Sequence, residues 1–246
     1  MVGLYVLLAG GAVIAVLAAA TARRPISLVD SRDGYFAGWA QLHGGYDPRT
    51  GGRVVRGWLS GAYVLAAPLA RRGVLPDVLT LLGVWSAGAV VVVADQHGRW
   101  LLLATFVLAA SGIVDNLDGC VAVLTARTTA YGTVLDSVVD RVADGLTLVA
   151  LWRVGAAAGW CVGAGCALVL LEYTRARAGV AGLSEVGVVT VGERPTRIVV
   201  ASFGLFCGGL FVDHRVLCVT LGAAATLGVS LIGLVQLGRV VQQRLG

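Results

Sequence analysis

The sequence predicts an all-α integral membrane protein. Of its 246 residues, 57% are hydrophobic and 13% are charged, and 35 are glycine. The mean hydropathy of +0.84 lies far outside the range of ordinary soluble domains. No apolar run alternates with the two-residue period of a β-barrel strand. The runs therefore predict membrane-spanning helices.

A helix needs about 20 apolar residues to cross about 30 Å of hydrocarbon. Runs of about this length lie near residues 3–20, 77–94, 100–117, 133–152, 157–174, 196–212 and 216–237. The first predicts an additional N-terminal transmembrane anchor within residues 1–22, and the others predict a six-helix domain over residues 76–240. Small residues around Ala18 resemble a signal-peptide cleavage region. The Arg23-Arg24 pair directly after the run, with no basic stretch before it, favours a retained anchor.

The distribution of positive charge predicts the topology. All 19 basic residues are Arg, and threading the predicted spans places Arg99, Arg153 and Arg215 on one side and the rest on the other. The richer side is cytoplasmic by the positive-inside rule. The formal charge of +5 therefore reflects topology and not nucleic-acid binding. The sequence predicts a multi-pass protein of the cell membrane.

Residues 23–75 form a polar segment ahead of the predicted domain. Aromatic residues and Arg mix in this segment, as is typical of a segment lying on an anionic cytoplasmic leaflet. For residues 25–52 a solvated loop is an equally good interpretation. Residues 54–70 are more apolar and predict an interfacial juxtamembrane helix that ends near Pro68 and the Arg71-Arg72-Gly73 turn.

Four carboxylates stand out in this apolar chain: Asp115, Asp118, Asp136 and Asp140. The members of each pair are three or four residues apart, so each pair projects from one face of its helix. Carboxylates near lipid are costly and usually functional, although hydrated helix ends would also accommodate them. Their oxygens suit two Mg²⁺ or Mn²⁺ ions, which could hold a diphosphate.

The string Asp115-x-x-Asp118-Gly119-x-x-Ala122, followed by Gly132-x-x-x-Asp136-x-x-x-Asp140, resembles the signature of the CDP-alcohol phosphotransferase family. The resemblance extends over about residues 60–240 and includes the stretch from Arg72 to Thr80. It implies a six-helix core that transfers a phosphatidyl group from a CDP-lipid to an alcohol and releases CMP. It also implies that Asp115, Asp118 and Asp136 ligate two divalent metals, with Asp140 both a ligand and the general base. The implied CDP-lipid contacts are Asp115, Gly119, Ala122, Gly132 and Asp136.

One position departs from the family pattern. The family usually has Arg directly after the Ala, whereas Val123 follows Ala122 here. An Arg there would pair with a nucleotide phosphate, which Val cannot do. Our hypothesis is that Arg127, four residues further on, supplies the charge from the same helical face. The alternative is a weakened or non-catalytic homologue.

A second group of arginines predicts the acceptor site. Arg175 and Arg177 follow the fifth apolar run, and Arg194 and Arg197 precede the sixth, so they could converge near the aspartates and bind a phosphate. Ordinary positive-inside loop charge is the alternative. The strings Tyr173-Thr174-Arg175-Ala176-Arg177-Ala178, Gly192-Glu193-Arg194-Pro195-Thr196-Arg197 and Asp140-Arg141-x-x-Asp144-Gly145 resemble those of the phosphatidylinositol-phosphate synthases of actinobacteria. That resemblance implies CDP-diacylglycerol as donor and myo-inositol 1-phosphate, or another polyol phosphate, as acceptor. A phosphatidylglycerophosphate synthase using glycerol 3-phosphate is the main alternative.

Two further interpretations concern another class of function and the oligomeric state. Carboxylates inside helices also mark ion pathways, so a transporter or channel is the alternative from another class. The acidic residues cluster at one predicted membrane face and no inverted repeat is evident, which argues against it. The Gly159/Gly163 and Gly204/Gly208 pairs have GxxxG spacing, which is a weak indication of a homodimer.

Overall fold

The computed structural model describes residues 10–16, 28–29, 31–42, 47–50, 52–183 and 189–245. Over these residues the regular structure is helical, with no strand, which confirms the all-α prediction. By length and composition, the helical stretches Pro76–Ala94, Trp100–Leu124 and Val212–Leu245 are long and apolar enough to cross a membrane.

The helices are numbered in chain order. They are α1 (Arg32–Leu42), α2 (Arg53–Arg71), α3 (Pro76–Ala94), α4 (Trp100–Leu124), α5 (Ala130–Val154), α6 (Ala158–Val180), α7 (Arg194–Leu210) and α8 (Arg215–Leu245), with a short 3₁₀ turn at Val212–His214. The six predicted core spans correspond to α3 through α8. The predicted anchor at residues 3–20 lies outside the described residues except for 10–16, which are helical.

Several core helices are longer than their apolar runs. Helix α4 ends at Leu124 and not at residue 117, and α8 ends at Leu245 and not at 237. An apolar run stops where polar side chains begin, whereas the helix continues because its backbone hydrogen bonds do not depend on side-chain polarity. Asp115 and Asp118 therefore lie within the C-terminal turns of α4 and not in a following loop.

The solvated-loop interpretation of residues 25–52 is wrong for α1. Tyr35 and Phe36 are 0% and 2% exposed, and Trp39 follows one turn later on the same side. This spacing gives α1 an apolar face, which buries itself against the protein. Burial raises the pKa of the Tyr35 phenol above its ordinary value, so the hydroxyl stays protonated. An interfacial position for α1 stays a prediction.

Helix α2 confirms the helix predicted over residues 54–70. Pro68 lies inside it, and the chain turns away at Gly73, whose φ of +78° favours glycine. Its buried residues recur at helical spacing, and they are Leu59, Ala62, Ala66 and Ala70. Trp58, Val64 and Leu65 are more than half exposed. An apolar face that is exposed in this way suits the predicted interfacial position.

The chain divides into two compact units. The first comprises Met1–Trp85 and Ile113–Asp140, and the second comprises Ser86–Gly112 and Arg141–Gly246. Each has its own apolar core. That of the first includes Tyr35, Phe36, Leu79, Leu117 and Val121, and that of the second includes Val90, Leu101, Leu151, Leu205 and Val219. All four predicted aspartates belong to the first unit, and the predicted acceptor arginines belong to the second.

One of the two GxxxG pairs is used inside the chain. A Cβ on Gly204 would lie 2.9 Å from the Gly222 Cα, so α7 and α8 approach each other closely at this point. A Cβ on Gly159, by contrast, would meet nothing within 4 Å. The Gly204 match is therefore explained by packing within the second unit. Dimerisation stays a prediction.

Candidate active site

Three of the four predicted carboxylates form a cluster in the first unit. Asp115 on α4 and Asp136 and Asp140 on α5 each offer one oxygen, and these oxygens lie within 4.8 Å of one another. All three side chains are partly buried. The helical spacing within α5 places Asp136 and Asp140 on the same face, as the sequence predicts.

The fourth carboxylate, Asp118, is held separately. It is 6% exposed, and its Oδ2 accepts a 2.5 Å hydrogen bond from the Thr80 hydroxyl. Its Oδ1 accepts a 2.6 Å hydrogen bond from the backbone N–H of Gly119. Asp118 is therefore fixed by protein donors, whereas the other three carboxylates form the cluster. The sequence signal for Thr80 is its place at the end of the stretch that resembles the family's entry to its first core helix.

The cluster fits a divalent metal. It offers carboxylate oxygens, which Mg²⁺ and Mn²⁺ prefer, and no thiolate or imidazole belongs to it. Two oxygens that ligate one Mg²⁺ at about 2.1 Å lie at most about 4.2 Å apart. The separation of up to 4.8 Å is close to that value, so small side-chain adjustments would bring Asp115, Asp136 and Asp140 around one ion.

We expect Thr80→Val to weaken Mn²⁺ binding at the carboxylates by about 10- to 100-fold, because groups that orient a carboxylate of a metal site have effects of this size. The lost hydroxyl leaves the buried Asp118 Oδ2 without its donor. Thr80→Ser is the matched control, because it keeps the donor. A Thr80→Val protein with unchanged Mn²⁺ affinity would show that this hydrogen bond does not support a metal site.

A cavity of about 550 Å³ opens beside the carboxylates. Its polar lining comes from Asp115, Asn116, Asp118, Gly119 and Asp136. The rest of its lining is mostly apolar and comprises Trp39, Leu42, Val55, Trp58, Leu59, Cys120 and Val123. One cavity thus combines carboxylates with a wall supplied partly by α1 and α2.

The predicted small residues have different surroundings. Gly119 lines the cavity, and a Cβ added there would meet nothing within 4 Å, which fits close approach of a ligand. Gly132 instead donates its N–H to the Thr129 hydroxyl, which caps α5. A Cβ on Gly132 would lie 3.1 Å from that hydroxyl. The Ala122 carbonyl accepts the Arg127 N–H at 2.8 Å. Ligand contacts for Ala122 and Gly132 stay predictions.

The prediction that Arg127 lies on the same helical face as Val123 is wrong. Helix α4 ends at Leu124, and Ala126 adopts a left-handed φ of +50° that turns the chain. Arg127 therefore lies beyond the helix and does not share its face one turn below Val123. Any contact between Arg127 and a phosphate would have to come from the loop between α4 and α5.

Three of the four predicted acceptor arginines lie in an ion-pair network in the second unit. Arg197 is 2% exposed, and its guanidinium donates to Asp144 Oδ2 at 2.9 Å, to Glu172 Oε1 at 3.2 Å and to the Gly192 carbonyl. A side chain buried and engaged in this way organises the site. The expectation that Arg197 itself binds a phosphate is not supported by this geometry.

Arg175 is more accessible than Arg197. Its Nη2 donates to Glu193 Oε1 at 2.6 Å, and its Nε lies 3.4 Å from Glu172 Oε2. Arg194 is 8% exposed and its Nε lies 3.9 Å from Asp144 Oδ1. Arg177 is exposed on α6. Of the four, Arg175 and Arg177 are the ones that a soluble phosphate could reach with least rearrangement.

Sequence reasoning missed the acidic half of this network and one of its bases. Asp144, Glu172 and Glu193 provide the carboxylates, and Arg141 pairs with Glu172 at 3.2 Å. All of them lie within or beside the strings quoted for the acceptor site. Two of these pairs, Arg141 with Glu172 and Arg197 with Asp144, join residues 31 and 53 positions apart, which local spacing does not predict.

Residues 73–235 match the family model for CDP-alcohol phosphatidyltransferase. Because this match covers well over half of the chain, the protein belongs to the CDP-alcohol phosphatidyltransferase family. It is therefore a transferase of that class, and the predicted family is confirmed. The match begins after α1 and α2.

Two named relatives support the same family. The archaetidylinositol phosphate synthase of Methanothermobacter thermautotrophicus is 36% identical over 161 residues, which are 61% of this chain and 78% of that protein. The phosphatidylinositol phosphate synthase of Streptomyces avermitilis is 36% identical over 157 residues, which are 59% of this chain and 62% of that protein.

The fold is similar to that of a solved relative. A Mycobacterium tuberculosis phosphatidylinositol phosphate synthase, crystallised with manganese and citrate, superposes with a TM-score of 0.60 at 26% identity, covering 74% of this chain and 88% of that one. The same enzyme has also been solved with CDP-diacylglycerol bound. Together with the apolar helices, these relatives establish a multi-pass membrane protein.

Proposed function

We propose that this protein transfers the phosphatidyl group of CDP-diacylglycerol to myo-inositol 1-phosphate and releases CMP. The observation that carries the proposal is the cluster of Asp115, Asp136 and Asp140 at a cavity. The names of the curated relatives and the CDP-diacylglycerol complex of the solved relative support the choice of substrates.

The carboxylates have distinct roles in this proposal. Asp140 accepts the proton of the acceptor hydroxyl, whose oxygen attacks the phosphorus that bears the diacylglycerol. A new P–O bond forms, the P–O bond to the CMP phosphate breaks, and CMP leaves with the electron pair. Asp115, Asp118 and Asp136, with Asp140, would hold two Mg²⁺ or Mn²⁺ ions. Bound there, the ions stabilise the charge that develops on the diphosphate.

The acceptor phosphate binds to the arginines of the second unit. The network contains Arg141, Arg175, Arg194 and Arg197 against Asp144, Glu172 and Glu193. Among these described residues, four arginines face three carboxylates, and Arg177 is exposed on the same helix as Arg175. Arg175 contacts the phosphate directly, since guanidinium groups suit phosphate oxygens. Arg177, on the opposite face of α6, attracts the phosphate through its charge. Arg194 and Arg197 are buried and stabilise the site through their ion pairs with Asp144.

The membrane arrangement follows from the arginine distribution. The active site faces the cytoplasm of the cell, where soluble inositol phosphate is available, and the lipid substrate reaches it from the bilayer. A homodimer is part of the same proposal. Its support is the GxxxG spacing of Gly159 and Gly163. A Cβ on Gly159 would meet nothing within 4 Å, whereas one on Gly163 would lie 3.4 Å from Leu227 of α8.

Turnover with two acceptors tests the proposal. The purified protein, CDP-diacylglycerol and Mn²⁺ are incubated with myo-inositol 1-phosphate or with glycerol 3-phosphate, and the lipid product is identified by mass. We expect phosphatidylinositol phosphate to form. Arg175→Ala should raise the KM for the inositol phosphate by about tenfold or more, because it removes a charge-assisted phosphate contact worth about 1.5–3 kcal/mol.

Arg239→Ala is the matched control, because Arg239 is an exposed arginine near the end of α8. Its KM for inositol phosphate should equal that of the unchanged protein. Product formation with glycerol 3-phosphate alone would contradict the proposed acceptor while leaving the phosphatidyl transfer intact.

A further inference from the structure

Helix α1 contributes to the carboxylate cavity although it lies outside the family match, which begins at residue 73. Trp39 and Leu42 of α1 line the same cavity as Asp115 and Asp136. The residues that give the chain its family membership therefore do not form this cavity alone.

Helix α1 is held against α4 by specific contacts. The Tyr35 hydroxyl and the Cys120 thiol share a buried hydrogen bond of 3.0 Å. Just before α1, the Val29 N–H donates to the Leu124 carbonyl at 2.9 Å. With Tyr35 and Phe36 almost fully buried, α1 is an integral part of the first unit.

The contact between α1 and α4 includes position 123, where the family usually has Arg. A Cβ added to Gly38 would lie 2.9 Å from Val123 Cγ1, and Val123 itself is 9% exposed. A longer side chain at either position would push α1 away from α4. Gly38 and Val123 therefore match each other, and the side chain at position 123 lies in the contact between α1 and α4.

We infer that α1 forms one wall of the donor site and that Trp39 stacks on the cytosine base of the CDP-lipid. This inference rests on the proposed function, since it takes the donor from it. At about 550 Å³, the cavity has the size that encloses a compact headgroup such as a nucleotide. Trp39 packs against the core of the first unit, so its indole is already positioned, whereas Trp58 is 53% exposed.

Base–indole stacking predicts a measurable change in nucleotide affinity. Replacing an aromatic side chain that stacks on one base by alanine weakens nucleotide binding by about tenfold. We expect Trp39→Ala to raise the KM for CDP-diacylglycerol and the inhibition constant of free CMP by about tenfold each, with little change in kcat. Trp39→Phe should retain most of the affinity. Free CMP has no acyl chains, so its inhibition constant reports the contacts of the nucleotide without those of the lipid tails.

Trp100→Ala is the matched control, because Trp100 is 54% exposed and belongs to the second unit. A second variant, Gly38→Val, displaces the whole of α1 from α4. It should raise the inhibition constant of CMP as Trp39→Ala does. Its control, Gly57→Val, places the same side chain on α2 at a point where a Cβ meets nothing within 4 Å. Val123→Arg, which restores the family residue, should also lower donor affinity because α1 occupies the space.

The outcomes separate the inference from the function on which it rests. An unchanged CMP inhibition constant in both Trp39→Ala and Gly38→Val would overturn the inference and leave the phosphatidyl transfer standing. Improved activity in Val123→Arg would overturn it as well. Absence of metal-dependent CMP release by the unchanged protein would instead overturn the proposed function.

Discussion

Replacing Asp140 by Asn is expected to lower kcat by about 10²- to 10⁴-fold, the contribution typical of a positioned general base. The amide keeps the shape of the side chain but cannot accept the acceptor's hydroxyl proton. It also removes one charge from the cluster with Asp115 and Asp136, which weakens metal binding. The rate should therefore be measured at saturating Mn²⁺, so that the loss of the base is separated from the loss of a ligand.

Asp213→Asn is the control for this variant, because Asp213 is exposed in the turn before α8. It should be as active as the unchanged protein. The melting temperature of both variants in detergent should stay close to that of the unchanged protein. An Asp140→Asn enzyme that keeps more than a tenth of the rate at saturating Mn²⁺ would contradict the assignment of the base.

Replacing Arg197 by Met should produce the largest loss of stability. Its guanidinium is 2% exposed and pairs with Asp144 and Glu172. Removing one partner leaves buried carboxylate charge poorly compensated, which costs about 3–5 kcal/mol. For a chain of this size each kcal/mol shifts Tm by about 2–4 °C, so the drop should be large enough to measure by thermal unfolding in detergent.

Arg239→Met is the matched control, since it removes an exposed arginine and should leave Tm nearly unchanged. The measurement also decides between two roles for Arg197. A large loss of stability is expected if Arg197 holds the network together. An unchanged Tm combined with a raised KM for the acceptor would show that Arg197 binds the phosphate directly, as the sequence alone suggests.

The helical architecture could be predicted because its signal is local. An apolar run of about 20 residues identifies a span wherever it occurs, so α3 through α8 were all expected. The helix ends do not follow from hydropathy in the same way. Hydropathy marks the change to polar side chains, whereas a helix such as α4 continues to Leu124 until Ala126 turns the chain.

The carboxylate cluster was also accessible from sequence. Asp136 and Asp140 share a helical face by spacing, and the family signature brings Asp115 to them. The separate anchoring of Asp118 by Thr80 joins residues 38 positions apart. No local pattern predicts such a contact, and the same holds for the pairing of Asp144 with Arg197 across 53 positions.

Helix α1 shows a different limit of prediction from the sequence. Its short amphipathic pattern among polar residues was compatible with a loop, and its identity as a helix depends on the burial of Tyr35 and Phe36 against the first unit. Tertiary packing decides such segments more than intrinsic propensity does. The absence of Arg at position 123 looked like a defect in the sequence, whereas the structure pairs Val123 with Gly38.

Metal-dependent release of CMP from CDP-diacylglycerol tests the central claim most directly. The unchanged protein, given myo-inositol 1-phosphate and Mn²⁺, should release CMP in step with the formation of phosphatidylinositol phosphate. Chelation with EDTA should stop the reaction, and added Mn²⁺ should restore it. Release of CMP that is undiminished by EDTA, or no release at all with a folded protein, would contradict a metal-dependent phosphatidyl transfer at Asp115, Asp136 and Asp140.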